Sequence, residues 1–113
     1  MPADGIPSAR VRSARSRAAG RWYVYLIACR GGAIYTGIAR DVAARYAQHV
    51  AGAGARYTRA NPPQKLLAKF ACPSQSVAGR IEAAIKKLAP ADKMKLVGKS
   101  GVALRKSLLP GES

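Results

Sequence analysis

The chain is 113 residues long, which allows one small core and no second domain of comparable size. Hydrophobic residues make up 49% and charged residues 22%, and the longest apolar run, "WYVYLIAC", is far too short for a membrane span, so neither a disordered chain nor a spanning one is indicated. Twenty Lys and Arg against five acids give a net charge of +15, a balance that calls for a polyanionic partner.

In chain order, residues 1–20 lack aromatics and large aliphatic clusters and are rich in Arg, Ser, Ala and Gly, which predicts a flexible basic arm. Trp22 to Cys29 is aromatic and β-branched enough for a strand, Arg30-Gly31-Gly32 turns it, and Ala33 to Gly37 returns. A three-residue loop with Gly32 left-handed puts Tyr25, Ile27, Tyr35 and Gly37 on one face. A two-residue loop would put Tyr25 and Tyr35 on opposite faces. "DVAARYAQHVAG" reads as a helix capped by Asp41 and stopped by Gly52, with Val42, Tyr46, His49, Val50 and Ala53 as its apolar stripe. Asp41, Arg45 and His49, four residues apart, run along the border of that stripe. "AGAGARYTRANPPQ" reads as a loop, "KLLAKFAC" as a third strand, and "SQSVAGRIEAAIKKL" as a second helix with Val77, Ile81, Ala84, Ile85 and Leu88 inward. Pro90 opens a last short helix, "PADKMKLV". From Gly98 to residue 113 a flexible C-terminal tail is expected. The predicted order is ββαβαα.

Residues 22–97 alone hold twelve basic and three acidic residues, so the charge excess belongs to the folded part as well as to its ends. Nucleic acid is the first candidate polyanion, through phosphate contacts and counterion release. An anionic membrane surface ranks second, because no basic amphipathic helix with a large aromatic face is present. Cys29 and Cys72, each inside an apolar run, make neither a disulfide framework nor a zinc set and read as small buried hydrophobes.

Each polar residue near the hairpin has a plain reading and a chemical one. A tyrosine in a hairpin usually packs, but two phenols on one face beside a glycine can move a proton, and Gly37 would leave room for a phosphate. Arg45 is either a solvated helix charge or a bidentate phosphate ligand. His49, the one histidine, is either a satisfied core residue or a group that orients a water or a phenol. Glu82 is either the i,i+4 partner of Lys86 or the single carboxylate of a hard divalent ion whose other positions are waters and substrate phosphate. Arg56, Tyr57, Arg59, Lys65 and Lys69 are candidates for tracking a phosphate backbone, with Tyr57 able to stack on an unpaired base.

The ordered set Tyr23-Val24-Tyr25, Tyr35-Thr36-Gly37, Arg45 and Glu82 resembles the GIY-YIG nuclease family, over about Trp22 to Val97. More narrowly, "YTGIARDVAARYAQHVAGAGARYTR" and "AGRIEAAIKKLAPADKMKLV" are similar to the small stand-alone bacterial members. That branch is also similar to the nuclease domain of structure-specific branched-DNA endonucleases. The resemblance implies an α+β fold, a three-stranded antiparallel sheet flanked by helices, and Mg²⁺- or Mn²⁺-dependent hydrolysis of DNA phosphodiesters. It makes Tyr25 and Tyr35 the motif tyrosines, one of them, with Tyr25 preferred, the general base toward a metal-held water. It makes Arg45 the ligand of the scissile phosphate and Glu82 the metal ligand, and it places His49 where members carry His or Tyr.

Three departures bear on the activity. Tyr23 and Thr36 replace the Gly and Ile of the motif name. Ile38 stands where repair-type members have Lys, so a cation that lowers a tyrosine pKa has to come from Arg40 or the metal. "KMKL" lies where many members have a polar residue such as Asn, and cleavage is therefore expected to be slow or substrate-restricted. With no separate recognition module, selectivity would come from DNA structure or from a repair or recombination protein, in the cytoplasm at the nucleoid. The alternative is a catalytically silent nucleic-acid-binding module on the same scaffold.

Overall fold

The computed structural model describes residues 21–109, so the arm expected over residues 1–20 lies outside them. The described elements are β1 (Trp22–Cys29), β2 (Ile34–Ala39), α1 (Val42–Val50), α2 (Arg56–Ala60), β3 (Pro63–Cys72), α3 (Gln75–Lys86), α4 (Pro90–Met94) and α5 (Gly101–Leu108). The strands form one antiparallel sheet in the order β2-β1-β3, with the apolar β1 in the middle. This is the α+β architecture anticipated from the sequence.

The hairpin turn sets everything that follows. Gly31 (φ 82°) and Gly32 (φ 85°) both adopt left-handed backbone, which side chains resist, and Cys29 N–H closes the loop on the Ala33 carbonyl at 2.8 Å. Tyr25 then pairs with Gly37 and Ile27 with Tyr35, so the three-residue loop holds and the two tyrosines share a face.

Alternation along β1 divides the core in two. Val24 and Leu26 point to one face and pack with Phe70, Cys72, Ala78, Ile81, Ile85, Leu96 and Leu104. Tyr25, Ile27 and Cys29 point to the other, packing with Val42 and with the half-buried Tyr23, Tyr35, Tyr46 and Leu66. Both cysteines are buried free thiols. The helices start where capping chemistry puts them: Asp41 accepts from Ala44 N–H, Ser74 from Val77 N–H and Ser100 from Ala103 N–H.

Three expectations need correcting. The stretch from Gly98 is not a loose tail throughout, because residues 101–108 form α5 and its Leu104 is fully buried. A helix of two turns has too few repeats for its periodicity to show, and its order comes from packing on β3. Gly101 lies so close to the Ala71 backbone that a Cβ would collide with it, and Arg105 donates to the Ala71 carbonyl at 3.3 Å. The loop after α1 contains the single-turn α2, which starts at Ala55 without a side-chain cap. Val50 is 58% exposed, so the inward stripe of α1 is Val42, Tyr46 and His49 alone.

Candidate active site

Tyr25 and Tyr35 lie side by side with ring centroids 6.2 Å apart. Gly37, opposite Tyr25 on β2, is what allows this. A Cβ there would stand 2.5 Å from the Tyr25 hydroxyl oxygen and 3.0 Å from the Tyr35 ring. The room anticipated at Gly37 for a phosphate is filled by the phenols, so the glycine serves tyrosine packing.

Helix α1 lies over this face and brings His49 to the phenol. Tyr25 Oη and His49 Nε2 are 2.9 Å apart, and His49 Nδ1 lies 2.7 Å from Thr58 Oγ1. Tyr25, His49 and Thr58 are each 1% exposed. Burial pushes the Tyr25 phenol up to about 12; the neighbouring Tyr35 adds to the rise, and the Arg45 guanidinium opposes it. Burial, aided by the charge of Arg45, moves His49 the other way, below its ordinary value. At neutral pH the pair is therefore a neutral phenol beside a neutral imidazole.

Arg45, one turn before His49, is half-buried beside Tyr25 and donates from Nη1 to Gln48 Oε1 at 2.7 Å. Helix α3 runs along β2 and turns its Glu82–Lys86 edge toward the tyrosines. The Glu82 carboxylate pairs with Lys86 Nζ at 3.2 Å, and that ammonium lies 6.0 Å from the centre of the Tyr35 ring. No cation directly follows Gly37, and the one that opposes the rise of the Tyr25 phenol is Arg45 rather than Arg40, which lies over Trp22. Tyr57, 43% exposed on α2, stacks on Tyr35 with centroids 5.7 Å apart and planes at 29°. The resemblance implies one site for Tyr25, Tyr35, Arg45, His49 and Glu82, and the fold places these side chains near one another.

The basic residues divide. Arg56 and Arg59 are exposed on α2 beside Tyr57. Lys69 pairs in register with Tyr25 and stands over the Tyr23 ring at 5.4 Å, on the tyrosine face. Arg40 instead lies over Trp22, 5.9 Å from its ring centre, and Trp22 packs against the opposite core. Lys65 pairs with Ala28, whose place in β1 also belongs to that opposite face. A β-bulge between Leu26 and Ile27 shifts the register of β3, which simple alternation could not foretell. Nothing in the sequence marks Thr58 or Gly54 as a site residue, or Lys86 as more than the partner of Glu82. A threonine in a Gly- and Arg-rich loop carries no signal until the loop folds back onto His49.

A divalent ion fits this donor set only in one way. Among the described residues no three His, Cys, Asp or Glu side chains cluster. Both ring nitrogens of His49 are engaged by protein partners. The protein thus offers the single carboxylate of Glu82, partly open to solvent, which suits a hard ion that keeps waters and takes substrate oxygens. Zinc, which wants several N or S ligands, does not fit.

A three-stranded antiparallel sheet with paired tyrosines on one face, an arginine and histidine on the following helix and a glutamate on a later one defines a GIY-YIG type of domain. Residues 21–95 match the GIY-YIG catalytic domain, and the chain belongs to that family. It is 49% identical over 79 residues to a UPF0213 protein of Cupriavidus pinatubonensis, covering 70% of this chain and 88% of the relative. A UPF0213 protein of Xanthomonas axonopodis pv. citri is 47% identical over 73 residues, covering 65% of this chain and 72% of the relative. Among solved structures, the solution NMR structure of a UPF0213 protein from Bacillus halodurans is 42% identical, covers 68% of this chain and 82% of its own, and superposes with a TM-score of 0.43. These relatives are small bacterial proteins of the same family.

Proposed function

We propose that this chain is a Mg²⁺- or Mn²⁺-dependent endonuclease that hydrolyses DNA phosphodiester bonds, selecting substrates by structure rather than sequence. Repair or recombination in the cytoplasm, at the nucleoid, would be its setting. The observation that carries this reading is the buried 2.9 Å contact between Tyr25 and His49, with Tyr35, Arg45 and Glu82 gathered around it.

With its pKa pushed up to about 12, Tyr25 is no ready-made base. It can work as a relay. A water entering between the half-buried Tyr35 and Arg45 would donate to the phenolic oxygen while the phenolic proton moves to neutral Nε2 of His49. The hydroxide left behind forms a new P–O bond as the opposite P–O ester bond breaks. The leaving alkoxide takes a proton from solvent, and His49 gives its proton back through Tyr25. Arg45 supplies positive charge where the phosphoryl oxygens gain negative charge. A divalent ion held by Glu82 would add Lewis-acid polarisation of the phosphate and acidify the water. Exposed Arg56, Arg59 and Lys69 would track the backbone, and the face of Tyr57 is open to an unpaired base.

The test is cleavage of labelled duplex, single-stranded, flap and four-way-junction DNA with Mg²⁺ or Mn²⁺. Wild type would be compared with folded Glu82→Ala and Arg45→Ala. Cleavage by wild type, lost in both variants, is expected. Binding without cleavage of any substrate, unchanged in Glu82→Ala, would select the catalytically silent binding module instead.

A further inference from the structure

We propose that Thr58 is a positioning residue that fixes the tautomer of His49 and thereby the direction in which the Tyr25 proton can move. The inference rests on the proposed nuclease reading only for its catalytic consequence. The assignment itself comes from three buried groups.

Thr58 Oγ1 lies 2.9 Å from the Ala55 carbonyl oxygen. At that separation the hydroxyl donates to the carbonyl, which has no hydrogen to give in return. The single hydroxyl proton of Thr58 is therefore directed at Ala55, and Oγ1 faces His49 Nδ1, 2.7 Å away, with a lone pair. Nδ1 must then be the protonated nitrogen. In a neutral imidazole this leaves Nε2 as an acceptor. The Tyr25 hydroxyl, 2.9 Å from Nε2, has to donate to it. A hydroxyl on α2 thus decides that the phenol is a donor and the imidazole the proton's destination.

The chain between the two residues is shaped for this contact. Gly54 lies against the imidazole so closely that a Cβ would collide with Nδ1. Thr58 is the sole buried residue of α2. The exposed Arg56, Tyr57 and Arg59 flank it, so the turn that sets the tautomer is also the turn that offers cationic and aromatic groups to substrate. Without the Thr58 hydroxyl, Nδ1–H would be buried with no acceptor. The ring would relieve this by moving its proton to Nε2, which then opposes the Tyr25 hydroxyl and closes the relay.

His49 is the chain's single histidine, so ¹⁵N-histidine labelling reports one ring without assignment. Wild type above the pKa of His49 is expected to show a protonated Nδ1 and a bare Nε2. Thr58→Val should shift the ring toward Nε2–H and slow cleavage roughly tenfold to hundredfold, with Thr58→Ser restoring both. A wild-type ring found as Nε2–H overturns the proposal without any variant. So does a folded Thr58→Val with unchanged ring signals and unchanged cleavage. The ring signals can be read whether or not DNA is cut, so a failed nuclease reading is distinguishable from a failed tautomer assignment.

Discussion

Tyr25 Oη and His49 Nε2 lie 2.9 Å apart in a pocket where each side chain is 1% exposed. A bond made in such a place is costly to leave half-made, because the surviving partner stays buried without its mate. Tyr25→Phe keeps the ring and removes only the hydroxyl, leaving Nε2 unpaired. The variant should lose ~1–3 kcal/mol of stability and slow cleavage by about 10²-fold or more. Thermal melts and single-turnover cleavage measure the two separately. A folded variant cleaving within a few-fold of wild type would remove Tyr25 from the chemistry.

The same pair predicts how stability changes with pH. The Tyr25 phenol rises from 10.0 to about 12 on folding. Between those values the unfolded chain has released the proton that the folded chain keeps. Its contribution is whole below pH 10 and is lost as pH climbs toward 12, by roughly 3 kcal/mol over the two units. His49 is lowered from 6.5, so its contribution is whole above that value and is lost as pH falls through the folded one. Denaturant melts across pH should flatten on the alkaline side in Tyr25→Phe and on the acid side in His49→Gln. The comparison with the variant isolates Tyr25 from the buried thiols, and from Lys93, which burial lowers.

What was legible in the sequence was what local rules control. The Arg30-Gly31-Gly32 loop fixes strand parity, and parity puts Tyr25 beside Tyr35. Asp41 caps α1 and so sets which turn carries Arg45 and His49. Contacts that depend on how a loop folds back or how tightly side chains pack were not legible. Thr58 reaches His49 only because α2 folds back, Gly37 proves to be filled space rather than open space, and the β3 bulge sends Lys65 and Lys69 to different faces. Helix α5 has too little periodicity to stand out from a tail.

Helix α5 is accordingly predicted to belong to the folding unit. Leu104 is fully buried among Phe70, Cys72, Ala78, Ile81 and Ile85. Leu104→Ala should cost ~2–5 kcal/mol, a large share of the stability of so small a domain. Truncation after Val97 should cost at least as much. A truncated chain that melts with wild type would show the helix to be dispensable.

At Gly37 the prediction concerns shape. An added methyl would meet the Tyr25 hydroxyl oxygen at 2.5 Å, its Cζ at 2.6 Å and Tyr35 Cε2 at 3.0 Å. The backbone of Gly37 needs no left-handed conformation, so Gly37→Ala acts through this collision alone. Overpacking of this kind costs ~1–3 kcal/mol. It should also push the phenol off His49, so cleavage falls although the methyl touches neither histidine nor substrate. An Ala variant with full activity would mean the tyrosines can shift without loss.

The ion pair between Glu82 and Lys86 predicts competition. Its 3.2 Å contact places an ammonium on the one carboxylate near the tyrosines among the described residues, where a divalent ion would have to bind. The Lys86 side chain is 52% exposed, so the pair is weak, ~0.3–0.5 kcal/mol for such a helix pair, and it should yield to a dication. Chelator should abolish cleavage without lowering the melting temperature by more than a degree or two, since the carboxylate's ion-pair partner is the exposed Lys86 of the same helix. Glu82→Gln should abolish cleavage at any Mg²⁺ concentration while leaving salt-sensitive DNA binding intact. Lys86→Met should lower the Mg²⁺ concentration for half-maximal cleavage by about twofold, the size of the pair it removes. A higher Mg²⁺ requirement in Lys86→Met would show instead that the ammonium assists at the phosphate.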